Sequence, residues 1–360
     1  MNNISSKILP LEHNAPIKYD LMLYMEMEAL LSNLNICESA KAWYMTNYIQ
    51  FYCLSSSRIH KNQKYFYKNV HISQPKNPFV QMKITSSIFH SSSMIIDYVI
   101  RQIEKGRYVK IQLDHFYLPE YKFYNDEHIY HTEFVYGYDL DNKLFNIIGS
   151  SNLSMGGFER KTVTFEDFIK AYKSTRKAKP LKTITAMEIR TDKVYHFSSK
   201  KCCEWLGLYI GSKQKMKNKI VAINDKHSKY NIYGINTYNE LIKILKSEFD
   251  SNDECSLNSI KYLQAFADHK KIMLQRIEYL EKRQDITKEQ FKSVYYDYSD
   301  IVDEFNIIIN LYIKLFLSGK KNNAEKIIFK LEKLNQKEED ILILLLSFLK
   351  NNRKNYRVAL

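Results

Sequence analysis

Two histidines three residues apart, His128 and His131, open the stretch HIYHTEFVYGYDLDNKLFNIIG. On a strand beginning at His131, alternation places His131, Glu133 and Val135 on one face and Thr132, Phe134, Tyr136 and Tyr138 on the other. A histidine at the head of a strand, beside a turn, can reach a cleft and take a proton from a thiol or hydroxyl, provided a third group holds its other nitrogen. Composition alone favours an ordinary packed or surface histidine. As a metal pair, His128 and His131 have no acidic or cysteine companion at a known ligand spacing, so neither metal nor cofactor is expected. Asp114, His115 and Asp126 line the preceding segment, and nothing in the sequence fixes whether they join the same place.

The elements that must position these residues follow from periodicity. Apolar residues at Leu23, Met27, Leu30, Leu31 and Leu34, then Ala42, Met45 and Ile49, predict two helices between Lys18 and Tyr52. The runs KYFYKNVHI and NPFVQMKI read as strands. In SSSMIIDYVIRQIEKG, Ser93 is the expected N-cap and Gly106 the left-handed residue past the C-terminus. RYVKIQLD alternates as a half-buried strand, and HTEFVYGYD and LFNIIG form a hairpin around DLDNK. A strand and a helix follow in TVTFEDFIKAYKST, with Thr164 three residues before Asp167 as a near-capping box, and KTITAMEIR adds a further strand. From Leu241 onward helices are expected over 241–249, 260–283, 287–317, 324–334 and 338–349. The mixture predicts an α+β first part over residues 1–200 and a mainly helical module over 201–360.

At 360 residues the chain is long enough for one large or two moderate cores, and few Gly and Pro (9 and 6) argue against long disordered linkers. The net charge of +14 is spread without a block of five like charges, which reads as composition rather than as a nucleic-acid tail. It stays compatible with an acidic carrier protein. Five cysteines (Cys37, Cys53, Cys202, Cys203 and Cys255) without a C-x-x-C spacing suggest neither a zinc ribbon nor a disulfide framework, and Cys202 and Cys203 read as partly buried small apolar residues rather than a redox pair. No export signal is visible, and ILILLLSFL is about half of the ~20 residues a membrane span needs. A cytoplasmic protein without membrane contact is expected.

HTEFVYGYDLDNKLFNIIG resembles the pattern of histidine, apolar strand, Gly-Tyr-Asp turn and second apolar strand in papain-like cysteine peptidases that process bacteriocin leaders. It is still more similar to the acyltransferase-like family named for butirosin biosynthesis protein H, found beside non-ribosomal peptide and polyketide gene clusters. LPLEHNAPIKYD, AWYMTNYIQFYC, GRYVKIQLDHFYLP, TFEDFIKAY, YNIYGINTYNEL and DHKKIMLQRIEYL carry further likeness, in order, over about residues 9 to 283. The resemblance implies a papain-like fold in which a helix-borne cysteine attacks an acyl thioester on a carrier protein. His131 would serve as base, and an amine or water would accept the acyl group.

The sequence departs from that pattern at two positions. Where the cysteine is expected, at the N-terminus of the first core helix, the chain reads YDLMLYMEMEALLSNL; Met25 matches best, with Met22 and Met27 as neighbours, and none carries a proton to lose. The orienting Asp or Asn falls near Gly149, with only Asn146 and Asn152 close by. Three readings stay open. Cys37, in NICESAKAWY, is the nucleophile; or the site is dead and the fold serves as a scaffold for a carrier or partner; or His131 alone is a general base aligning an amine against a partner's thioester. The expected partner is an acyl or peptidyl carrier protein or its pantetheine-linked substrate, with no nucleic acid.

Overall fold

A short acidic or hydroxyl side chain before an apolar run starts a helix by accepting a free amide. In the computed structural model, which describes residues 5–11, 15–54, 70–73, 76–85, 92–150, 157–177, 184–211, 231–250, 256–319 and 323–358, Asp20 does this for α1 (Leu21–Leu31), accepting from Leu23 N at 2.9 Å. The second expected helix is α2 (Cys37–Asn47). The protein is a mixed α/β chain with an antiparallel sheet and C-terminal helices, and it divides into two compact units.

The first unit comprises residues 1–40 and 77–194. Its sheet runs β4 (Val80–Thr85), β9 (Ile184–Ile189), β5 (Arg107–Asp114), β6 (Tyr130–Asp139), β7 (Leu144–Ser150) and β8 (Phe158–Thr164), with β1 (Ser6–Ile8) also on β6. The β6–β7 hairpin is the one expected from the sequence, shifted in register between Val135 and Gly137. Helix α3 (Ser92–Glu104) buries Ile95, Ile96, Val99 and Ile103, and Gly106 takes φ 71° after its end. Ser93 is not its cap: the helix already includes Ser92, so Ser93 lies in the first turn. Helix α4 (Phe165–Lys177) starts as expected, with Thr164 Oγ1 accepting from Asp167 N at 3.1 Å.

The second unit is discontinuous, joining residues 41–76 to 195–360. Two connections explain why the early segment belongs with the late helices. Strand β2 (Gln50–Leu54) lies between β3 (Val70–Ser73) and β10 (Asn231–Tyr233). The buried Arg276 donates to the carbonyls of Met45, Tyr44 and Tyr48 at 2.7, 3.2 and 2.7 Å, satisfying acceptors that the end of α2 leaves open. Arg276 stands on α7 (Leu257–Lys282), which follows α5 (Ser199–Gly211) and α6 (Thr237–Asp250). Helix α5 carries Cys202 and Cys203, both buried, more deeply than the partial burial expected from the sequence.

Thr287 and Gln290 form a reciprocal capping box at the start of α8 (Lys288–Ser318), and Gly319 ends it with φ 66°. The two final helices expected from the sequence are one, α9 (Ala324–Val358): the intervening Asn335, Gln336 and Lys337 include neither Gly nor Pro to break it. In the core of this unit Lys270 Nζ meets Glu338 Oε2 at 2.7 Å, and the hydroxyls of Tyr209, Tyr238 and Tyr298 donate to the same carboxylate. Among the described residues, no helix is long and apolar enough to cross a membrane.

Candidate functional site

The pairing of β5 with β6 sets Leu113 opposite His131 and Ile111 opposite Glu133. Past the end of β5, Asp114 Oδ1 accepts from Phe116 N at 3.1 Å and turns the chain through a single 3-10 turn, His115–Tyr117. The turn brings His115 back onto β6, where its Nε2–H donates to Glu133 Oε1 at 2.8 Å. Tyr121, a few residues on, donates its hydroxyl to Glu133 Oε2 at 2.7 Å, and its ring lies 3.9 Å from that of His115 between centroids. His131, two residues before Glu133 on the same strand face, contributes Nδ1 at 3.2 Å from Glu133 Oε1.

On the other side of β6, Phe134 pairs with Ile148, so the next rung sets Gly149 beside Glu133. A Cβ at position 149 would fall 1.2 Å from Glu133 Oε2 and 2.6 Å from the Tyr121 hydroxyl. Only a residue without a side chain leaves room for this carboxylate. The place where the resemblance expects an orienting acid is thus filled by an acid from the adjacent strand.

Burial by itself raises the pKa of Glu133, which has no exposed surface; hydrogen bonds from His115 and His131 outweigh it and hold the carboxyl below its ordinary value. The ionised carboxylate accepts only. The Thr132 carbonyl, 3.0 Å from His131 Nδ1, also accepts only. His131 Nδ1 therefore carries the hydrogen, and in the neutral ring the lone pair sits on Nε2. Ser150 Oγ completes the group around Nδ1 at 3.2 Å, and the His131 side chain is 42% exposed. A half-exposed imidazole held at Nδ1 by a buried carboxylate, with its Nε2 unprotonated, can accept a proton from a bound nucleophile. Behind Tyr121, the Lys161 ammonium lies 3.6 Å from the ring centroid and donates to the Glu120 carbonyl at 3.0 Å; burial lowers its pKa, opposed by Glu159 and Glu133.

The other expected site residues lie elsewhere. Cys37 begins α2, and its thiol meets the Leu34 carbonyl at 3.7 Å; among the described residues no hydrogen bond joins Cys37 to His131. Met25 and Met27 are buried in α1 and Met22 is half-buried. The start of α1 approaches the histidine end of the sheet indirectly: Tyr24 lies 5.0 Å from Phe158 between ring centroids, and Phe158 pairs with Ser150. Asn146 sits opposite Gly137, and Asn152 lies outside the described residues. His128 Nδ1 donates to Asp114 Oδ2 at 2.7 Å, where Ser174 Oγ also donates at 2.6 Å. That trio braces the end of β5 against α4, apart from His131, and Asp126 is exposed.

Tyr121 and Ser150 were not singled out from the sequence, and Glu133 and Gly149, though named there, were given no role as partner and space. The signal for Glu133 was its place two residues from His131 on the same face, an acid within an otherwise apolar strand that has to be buried. No protein-family model matches the chain, and no curated protein matches it.

Proposed function

We propose that this chain is an acyl- or aminoacyl-transfer protein of natural-product assembly, papain-like in its first unit, that acts on carrier-bound thioesters with His131 as general base. Glu133 is the orienting acid, in place of the residue expected at 149. The amine attacks the thioester carbonyl, His131 Nε2 takes the proton that the attacking nitrogen loses, and the departing pantetheine sulfur leaves as thiolate and is then protonated. No covalent acyl-enzyme is required, which accords with methionines where the family places its cysteine. The observation that carries the reading is the buried Glu133 carboxylate on His131 Nδ1, in space that Gly149 leaves open.

The test offers an acyl-pantetheine thioester and an amine acceptor to the full chain and follows amide and thiol by chromatography. Turnover is expected to fall by roughly 10²–10⁴-fold in His131→Asn and to persist in Cys37→Ala. Loss in Cys37→Ala would transfer the chemistry to a thiolate. Turnover equal in wild type and His131→Asn, or absent from both, would leave the scaffold reading in its place.

A further inference from the structure

We propose that His115, His131 and Glu133 form a binding site for a divalent transition-metal ion of the zinc type, and that the bound ion switches off His131. The proposal deepens the general-base reading of the same site and rests on it for the switching, not for the binding. Three ligand atoms of the kinds zinc takes, one ring nitrogen each from His115 and His131 and a Glu133 carboxylate oxygen, lie within 4.8 Å of one another, and the nitrogens facing the carboxylate are His115 Nε2 and His131 Nδ1. Glu133 Oε1 is 2.8 Å from the first and 3.2 Å from the second. A tetrahedral ion with bonds of about 2.0–2.2 Å holds its ligands about 3.3–3.5 Å apart, so the carboxylate contacts must open by up to about half an ångström and the two ring nitrogens, within 4.8 Å of each other, settle to the same spacing.

The surroundings suit a metal centre as well as a proton relay. The Tyr121 hydroxyl, at 2.7 Å, fixes the second oxygen of Glu133, the kind of outer hydrogen bond that orients a ligating carboxylate. His115 is buried, its ring held against Tyr121, so two of the three ligands are already immobile. The half-exposed His131 provides the route in and leaves the fourth position to water or to Ser150 Oγ. His131 and His115 come together through the turn after β5, which is why the spacing of His128 and His131 in the sequence does not reveal the site.

The consequence for the base follows from proton positions. A neutral imidazole that gives its Nδ1 lone pair to a metal must carry its hydrogen on Nε2. The ion thus moves one proton across the ring of His131, and likewise from Nε2 to Nδ1 in His115, with no net proton released. Nε2 of His131 becomes a donor and can no longer accept.

Cobalt(II) is the probe, because tetrahedral coordination gives it visible absorption bands. Equimolar Co2+ added to the folded, metal-free full chain is expected to produce these bands, and Zn2+ to abolish them by displacement. His115→Asn, checked by circular dichroism for an intact fold, is expected to lose them. Wild-type protein without the bands, or His115→Asn that keeps them, overturns the metal site whatever the thioester assay gives. Bands in wild type together with turnover insensitive to Zn2+ overturn the switch and leave binding standing.

Discussion

Glu133 occupies the space from which a side chain at position 149 would grow: a Cβ on Gly149 would come within 1.2 Å of its Oε2. Two adjacent strands thus offer one place for a carboxylate, and here it is filled from β6. Gly149→Asp alone is expected to force two acids together in a buried site and to destabilise the fold by at least about 3 kcal/mol. Combined with Glu133→Val, the same substitution supplies the acid from β7 and is expected to recover most of the loss in urea unfolding. A double variant no more stable than Gly149→Asp would refute the exchange.

A pH dependence follows from Glu26 on α1. Burial pushes its pKa up to about 7, against a lowering hydrogen bond from Asn77 Nδ2 at 3.1 Å. The folded value lies above the unfolded one of about 4.3, so the group's contribution to stability is fully present below the unfolded value and is lost as pH rises through 7. Glu26→Gln should therefore match wild type near pH 4 and exceed it by on the order of 1–3 kcal/mol near pH 8. A stability difference that does not change between those pH values would contradict this.

Much of the frame was legible in the chain, for physical reasons visible in single elements. The hairpin of β6 and β7 has two apolar runs around an Asp/Asn turn, and α8 has a capping box and a terminal glycine, so local chemistry goes far to set them. His131 was legible as a strand-head histidine. Glu133 was not identified as its partner because its role depends on an absence at 149 and on a turn that returns His115, both long-range facts. The union of residues 41–76 with the C-terminal helices was likewise hidden: it depends on Arg276 reaching carbonyls more than 220 positions away.

That arginine gives a separate prediction. Arg276 has no exposed surface, and its guanidinium satisfies three main-chain carbonyls. Arg276→Met would leave those acceptors buried and unpaired, costing about 3–5 kcal/mol. Arg276→Lys should recover only part of that, since one ammonium cannot reproduce the planar fork. Unfolding in urea that gives less than about 1 kcal/mol for the methionine variant would show the carbonyls to be satisfied otherwise.

The decisive measurement is the tautomer of His131, read from long-range nitrogen–proton correlations in 15N-labelled protein without added metal, above the histidine titration. The prediction is hydrogen on Nδ1 and a lone pair on Nε2 in wild type, with that preference weakened in Glu133→Gln. Hydrogen found on Nε2 of the wild-type ring would mean that this nitrogen cannot act as a base, and the account of this site would fail.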